Sequence, residues 1–285
     1  MADRDQRREQ AEKHNALMKG AFASETAATV EAAIIYEEGE GRALELPDAP
    51  FETTETLVTT AFEPDALYRF GKGKCVVVDP ASFTRPGGAY LDGAFGPEQV
   101  LCSDSNLYEV LCGIKREFHD KNRDYRRGML FTDRCAYLPD VTFSRGGTVR
   151  KADVIVVAEP MRARALENHR SEAECDNELS RRIEAILCIA AANECETLIL
   201  NAFACGRMGY PAPQVVGLIK AWLDAHPGAL GRVVFAVPRA HLDVFDAAFG
   251  QPKEEAPIPI AVDSDENADD EDWRTIELPE GITLR

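Results

Sequence analysis

The sequence has no apolar run approaching the ~20 residues that a membrane span requires, and its polar opening stretch, Met1–Arg8, lacks the apolar core of a signal peptide. The expectation is a cytoplasmic protein that neither enters a membrane nor is secreted. Basic charge is also scarce. Against 49 Asp+Glu there are only 32 Lys+Arg, a net charge of −17, which argues against direct nucleic-acid binding because that rests on neutralising many phosphates. A small anion is a different matter, since backbone N–H groups can hold one without any lysine. The eight cysteines form no CxxC pair and the five histidines no HxxxH or HExxH, so neither a zinc module nor another metal or cofactor site is expected. The cysteines read as reduced core residues, and each histidine as a surface or hydrogen-bonded side chain. GxGxxG with its partner acid and GxxxxGK[ST] are both missing, which removes support for a Rossmann or P-loop site. No internal repeat occurs.

What is present is an ordinary globular composition, 45% hydrophobic and 28% charged over 285 residues, enough for one or two domains. The first 70 residues read as a helical lead-in, charged over Asp5–Lys19 and Ala-rich over Thr26–Tyr36, with a Pro-containing acidic loop over Glu37–Glu55. From Lys74 onward strands and helices alternate. Val76–Val78, Val154–Ala158, Thr197–Asn201 and Arg232–Val237 have the short apolar form of buried strands. Ser105–Glu117 reads as a helix capped by Ser103 or Ser105. Ser171–Glu174 has the capping-box form and precedes Leu179, Ile183, Ile186, Leu187 and Ala190 on one helical face. A helix also follows at Pro213–Ala225, and another carrying Leu242, Phe245 and Phe249 ends at Gly250. The pattern predicts a layered α/β fold with a central sheet. The last stretch, Gln251–Arg285, includes seven acids in the ten positions Asp263–Asp272 and reads as a solvated extension.

Two loops follow strands and contain small residues. The first, Asp79–Tyr90, carries Ser82, Arg85 and the Pro86-Gly87-Gly88 step, and it leaves a buried strand at the edge where ligands collect in open α/β sheets. Pro-Gly-Gly also serves an ordinary turn. The second, Asn201–Tyr210, places Gly206 and Gly209 among small residues ahead of a helix, a setting in which successive N–H groups can form an anion nest. Two such loops at one sheet edge point to a shared phosphate site more strongly than either alone.

Asp79–Leu111, written DPASFTRPGGAYLDGAFGPEQVLCSDSNLYEVL, resembles the signature of the microbial-type poly(ADP-ribose) glycohydrolases, a branch of the macrodomain fold. That signature runs NFAS, NPGGG, QEE and SxLYxxL, and the second loop, NAFACGRMG, is similar to the family's GAxGCGVFG. The resemblance implies a three-layer α/β/α macrodomain-like fold with a mixed central sheet and an N-terminal helical extension. It divides the chain into an extension over 1–54, an ADP-ribose-binding domain over 55–250 and an acidic extension over 251–285.

It also implies a ligand pocket. Asp79, Ser82, Arg85, Gly87, Gly88 and Ala89 would face ADP-ribose from the first loop. Phe203, Ala204, Cys205, Gly206, Arg207 and Met208 would face it from the second. In such proteins the last acid of QEE protonates the leaving group and then activates water, work that suits a carboxyl group. Here QEE reads Pro97-Glu98-Gln99, so the catalytic position holds the amide of Gln99, with Glu98 beside it. The third glycine is Ala89, Asn before the proline is Arg85, Asn at the strand end is Asp79, and an aromatic of the second loop is Met208. The resemblance therefore implies a hydrolase of ADP-ribosyl bonds in poly- or mono-ADP-ribose, altered or weak in activity, in which Glu98 or Asp79 supplies the acid. The other reading it leaves is an inactive ADP-ribose reader. Its partners would be ADP-ribose or ADP-ribosylated proteins.

Overall fold

The apolar runs form the inner strands of a seven-stranded mixed sheet in the computed structural model, which describes residues 3–250. The strands are β1 (Ile34–Tyr36), β2 (Glu55–Thr59), β3 (Cys75–Pro80), β4 (Cys135–Arg145), β5 (Thr148–Val157), β6 (Thr197–Asn201) and β7 (Arg232–Ala236). Their order is β1-β4-β5-β3-β6-β7-β2. The pairs from β5 through β2 are parallel, while β1, β4 and β5 run antiparallel to their neighbours in turn.

Because side chains alternate along a strand, each run feeds two cores. Val76, Val78, Ile155, Leu198, Leu200 and Phe235 pack on one face. That face is covered by α6 (Arg162–Glu167), α7 (Glu172–Ala192), α8 (Ala212–Ala225) and α9 (Leu242–Phe249). Val77, Val154, Val156, Ile199 and Val234 pack on the other. There lie α3 (Glu63–Phe70), α4 (Pro97–Ser103) and α5 (Leu107–Gly113), together with α1 (Arg4–Ala21) and α2 (Ala23–Glu31). The predicted α/β/α layering is what forms.

Ser171 caps α7 as its sequence predicts: Ser171 Oγ accepts from Glu174 N at 3.2 Å and Glu174 Oε2 accepts from Ser171 N at 2.8 Å. Three differences have local causes. The helical lead-in contains two strands, because β1 is a three-residue edge and β2 is half-exposed, so neither shows a continuous apolar run. The hairpin strand β4 is interrupted by the polar residues around its bulge between Leu138 and Val141. The helix expected over Ser105–Glu117 stops at Gly113, and its N-cap is Asn106. Ser105 still serves the helix start, since its Oγ accepts from Leu107 N at 3.1 Å. The predicted acidic extension over 251–285 lies outside the described residues.

Candidate functional site: a cleft at the ends of the parallel strands

Five parallel strands present their C-terminal ends along one edge, and the loops leaving them enclose a cavity of about 950 Å³. Thr60–Glu63 enters it after β2, Pro80–Thr84 after β3, Glu159 after β5, Asn201–Ala202 and Cys205–Met208 after β6, and Val237–Arg239 after β7. This is where an open α/β sheet binds ligands, and the volume suits a nucleotide-sized molecule.

Gly87 and Gly88 of the first loop sit at φ 60° and 56°, the left-handed region that favours glycine. A Cβ on Gly88 would come to 3.0 Å from both the Glu98 carboxylate and the Gln99 amide, so any side chain there would crowd the two groups. Ala89 has φ −109°, an ordinary conformation, which explains why alanine is accepted there. The loop is braced from below. Phe83 is buried with its ring 4.7 Å from that of Phe131, and Asn122 Nδ2 donates to Phe83 O at 2.8 Å. Arg134, fully buried, donates in turn to Asn122 Oδ1 at 2.8 Å and to Phe118 O at 3.0 Å. His119 departs from expectation. It is fully buried against the Ser82–Phe83 backbone, neither ring nitrogen reaches a partner, and burial holds its pKa down at about 4.

Glu98 and Gln99 begin α4 and both line the cavity. Gln99 Nε2 donates to Gly87 O at 3.1 Å and to Glu98 Oε2 at 3.3 Å. Glu98 Oε2 also accepts from Ser82 N at 3.1 Å, whereas its Oε1 is buried without a partner. Burial, and then the charge of Asp79, push the Glu98 carboxyl well above the usual range. Asp79, the penultimate residue of β3, is fully buried with neither oxygen hydrogen-bonded, and burial followed by Glu63 and Glu159 raises it likewise. Such carboxyls stay protonated at higher pH than an exposed one, as a general acid must.

Two more acids belong to the cluster, and no sequence motif points to either. Glu63 opens α3, accepts from Asn201 Nδ2 at 3.0 Å, and is raised chiefly by burial. Glu159 accepts from Ala204 N at 2.6 Å, and burial raises its carboxyl to about 7. Among the described residues no three His, Cys, Asp or Glu side chains converge as a metal-binding group. Phe62 and Phe95, also unforeseen, meet edge to face at the cavity wall with ring centroids 6.0 Å apart.

The expected site residues do not all reach the cleft. Ser82, Gly88 and Ala89 line it from the first loop, Glu98 and Gln99 from α4, and Cys205, Gly206, Arg207 and Met208 from the second loop. Arg85 points away, its Nη2 on Asp92 Oδ2 at 2.7 Å at the exposed surface. Phe203 is fully buried in the core because its side chain faces the α7–α9 layer. Asp79, Gly87 and Ala204 stand behind the lining: Asp79 neighbours Glu98, Gly87 O holds Gln99, and Ala204 N is taken by Glu159.

Residues 8–146 match the family model for the microbial-type PARG catalytic domain. Over that stretch, just under half of its length, the chain resembles the microbial-type PARG family. The poly(ADP-ribose) glycohydrolase of Thermomonospora curvata superposes with a TM-score of 0.75 at 24% identity, covering 86% of this chain and 98% of that one. Its complex with the inhibitor ADP-HPD gives 0.73 at 25% identity over the same shares. The Deinococcus radiodurans PARG bound to ADP-ribose gives 0.71 at 21% identity, covering 78% of this chain and 96% of that one. No curated protein matches the sequence. The family match spans the first loop, Glu98 and Gln99, while the second loop lies beyond residue 146 and rests on the structural likeness.

Proposed function

We propose that this chain is a PARG-like hydrolase that binds ADP-ribose in the cleft and cleaves the glycosidic bond joining it to the next ADP-ribose unit or to a protein, with Glu98 as the acid. The observation that carries this reading is the Glu98 carboxyl: buried, raised in pKa, and with Oε1 unpartnered beside a 950 Å³ cavity. Gln99 holds the family's usual catalytic position but has no acidic proton to give. Its amide nitrogen is committed to Gly87 O and Glu98 Oε2, and so orients the working carboxyl. Protonated Glu98 donates to the departing oxygen as the anomeric C–O bond breaks. The resulting carboxylate then takes a proton from the water that attacks the oxocarbenium-like ribose, which restores the acid and leaves a hydroxyl on each product.

The diphosphate would lie between the Gly88–Ala89 backbone and the Gly206–Arg207 crest. Those two residues open a 3-10 turn, whose own hydrogen bonds do not use their N–H groups. A protein of net charge −17 repels a long polyanion at range, which favours chain termini or mono-ADP-ribosylated protein as substrate. All eight cysteines are free thiols, in keeping with a reducing, cytoplasmic setting. Among the described residues no helix is long and apolar enough to cross a membrane.

The alternative, a reader that binds without turnover, draws on Gln99 alone. Calorimetric titration with ADP-ribose tests the site itself. Gly206 is exposed, and its Cβ position is open except for His241 Nε2 at 3.8 Å. Because Gly206 sits at φ 64°, Gly206→Trp both fills the cleft and strains the loop, so it should abolish binding while the helix and strand content seen by circular dichroism is kept. Unaltered affinity in that variant would place the ligand elsewhere.

A further inference from the structure

Glu159 follows β5 at the cleft wall and grips the loop that the diphosphate reading assigns to an anion. Ala204, whose N–H it holds at 2.6 Å, is a non-glycine residue at φ 61°, a conformation that needs an external hold. The same segment secures the far end of the loop, where Arg162 Nη1 donates to Gly209 O at 3.1 Å. A carboxyl group from a neighbouring segment therefore sits against the loop proposed to receive phosphates.

We propose that Glu159 is a positioning residue for the diphosphate: it fixes the second loop through Ala204 and, when ionised, opposes the ligand, so that ADP-ribose binding takes up a proton. This rests on the ADP-ribose reading of the cleft. The groups that face Glu159 come from several elements. Arg207 on its own loop favours the carboxylate, whereas Glu63 on α3 disfavours it. Asp79 on β3 and the Cys205 thiol both feel the Glu159 charge, the thiol being pushed up to about 12 mainly by burial. Glu98, Arg126, Arg239 and His241 line the same cavity.

Burial is the main reason that the Glu159 carboxyl titrates at about 7, with the Ala204 N–H and Arg207 opposing it. The diphosphate of ADP-ribose stays ionised throughout that region, so its arrival raises the Glu159 pKa further. A group whose pKa rises on binding contributes affinity that is full below the free-state value and is lost as pH climbs from there toward the bound-state value. For charges separated by several ångströms at a partly wet site, the loss is about tenfold in Kd.

The test is titration of the whole chain with ADP-ribose between about pH 6 and pH 8.5, in buffers of different ionisation enthalpy. The parent should weaken about tenfold across that range and take up a fraction of a proton near neutrality. Glu159→Gln keeps an oxygen for the Ala204 N–H without the charge. It should bind at every pH as the parent binds at the acid end, with proton uptake abolished. Glu159→Ala, which loses the hold on the loop, should bind more weakly throughout. A Glu159→Gln variant that retained the parent's pH dependence and proton uptake would overturn the proposal and pass the effect to Glu63, Asp79 or Glu98. Parent binding that is strong and independent of pH would overturn it alone, whereas no binding at any pH would overturn the ADP-ribose reading as well.

Discussion

Glu98→Gln should lower hydrolysis of ADP-ribosyl bonds by roughly 10²–10⁴-fold, the usual worth of a positioned general acid. The substitution keeps the side chain's shape and an oxygen for Ser82 N, so ADP-ribose affinity should change little by comparison. Gln99→Glu is the informative companion. With Glu98 already lining the cavity, a second carboxyl at 99 removes the donor to Gly87 O and adds a like charge next to Glu98, so it should give no gain in rate. A rise on the order of 10²-fold for Gln99→Glu would instead mean that position 99 keeps its family role and that the parent is a weakened enzyme or a reader. The pH profile carries the same assignment. Since the Glu98 pKa is raised, its acid form persists below the raised value, and activity should fall as pH climbs through it.

The second large effect is on stability. Arg134 is buried, and its guanidinium serves the Glu117 and Phe118 carbonyls, Asn122 Oδ1 and the Glu37 carboxylate. Arg134→Ala leaves several acceptors without donors, at a cost of about 3–5 kcal/mol. For a domain of this size that lowers Tm by on the order of 10 °C. Asn122 also holds Phe83 O, so the first loop should loosen along with the fold, and ADP-ribose affinity measured well below Tm should drop too. A thermal melt within a degree of the parent's would show that water replaces the guanidinium and that the network is not a brace.

Legibility in the sequence followed burial. The strands β3, β6 and β7 are continuous apolar runs because helices cover them on both faces, and α7 announces itself through Ser171 and Glu174. The edge strand β2, Glu55–Thr59, is half-exposed and mixes polar with apolar residues, so it carries no such run. The helix α4, which begins at Pro97, shows in the sequence only through its departure from the family's QEE motif. Within the cleft, the Gly87-Gly88 and Gly206 positions could be found because positive φ leaves a mark in residue type. Glu63 and Glu159 could not, since a single acid just past a strand end looks like any surface acid until the fold buries it. Arg85 and Phe203 illustrate the reverse limit: each lies within a candidate loop, yet side-chain direction sends one to Asp92 and the other into the core.

The most direct measurement is release of free ADP-ribose from ADP-ribosylated protein and from poly(ADP-ribose), followed chromatographically with substrate in excess over the full chain. The account predicts many turnovers of ADP-ribose release by the parent and near-complete loss in Glu98→Gln, with ADP-ribose binding retained in both. Tight binding of ADP-ribose by the parent with no release from either substrate would contradict it and leave a reader whose acid position has been given up.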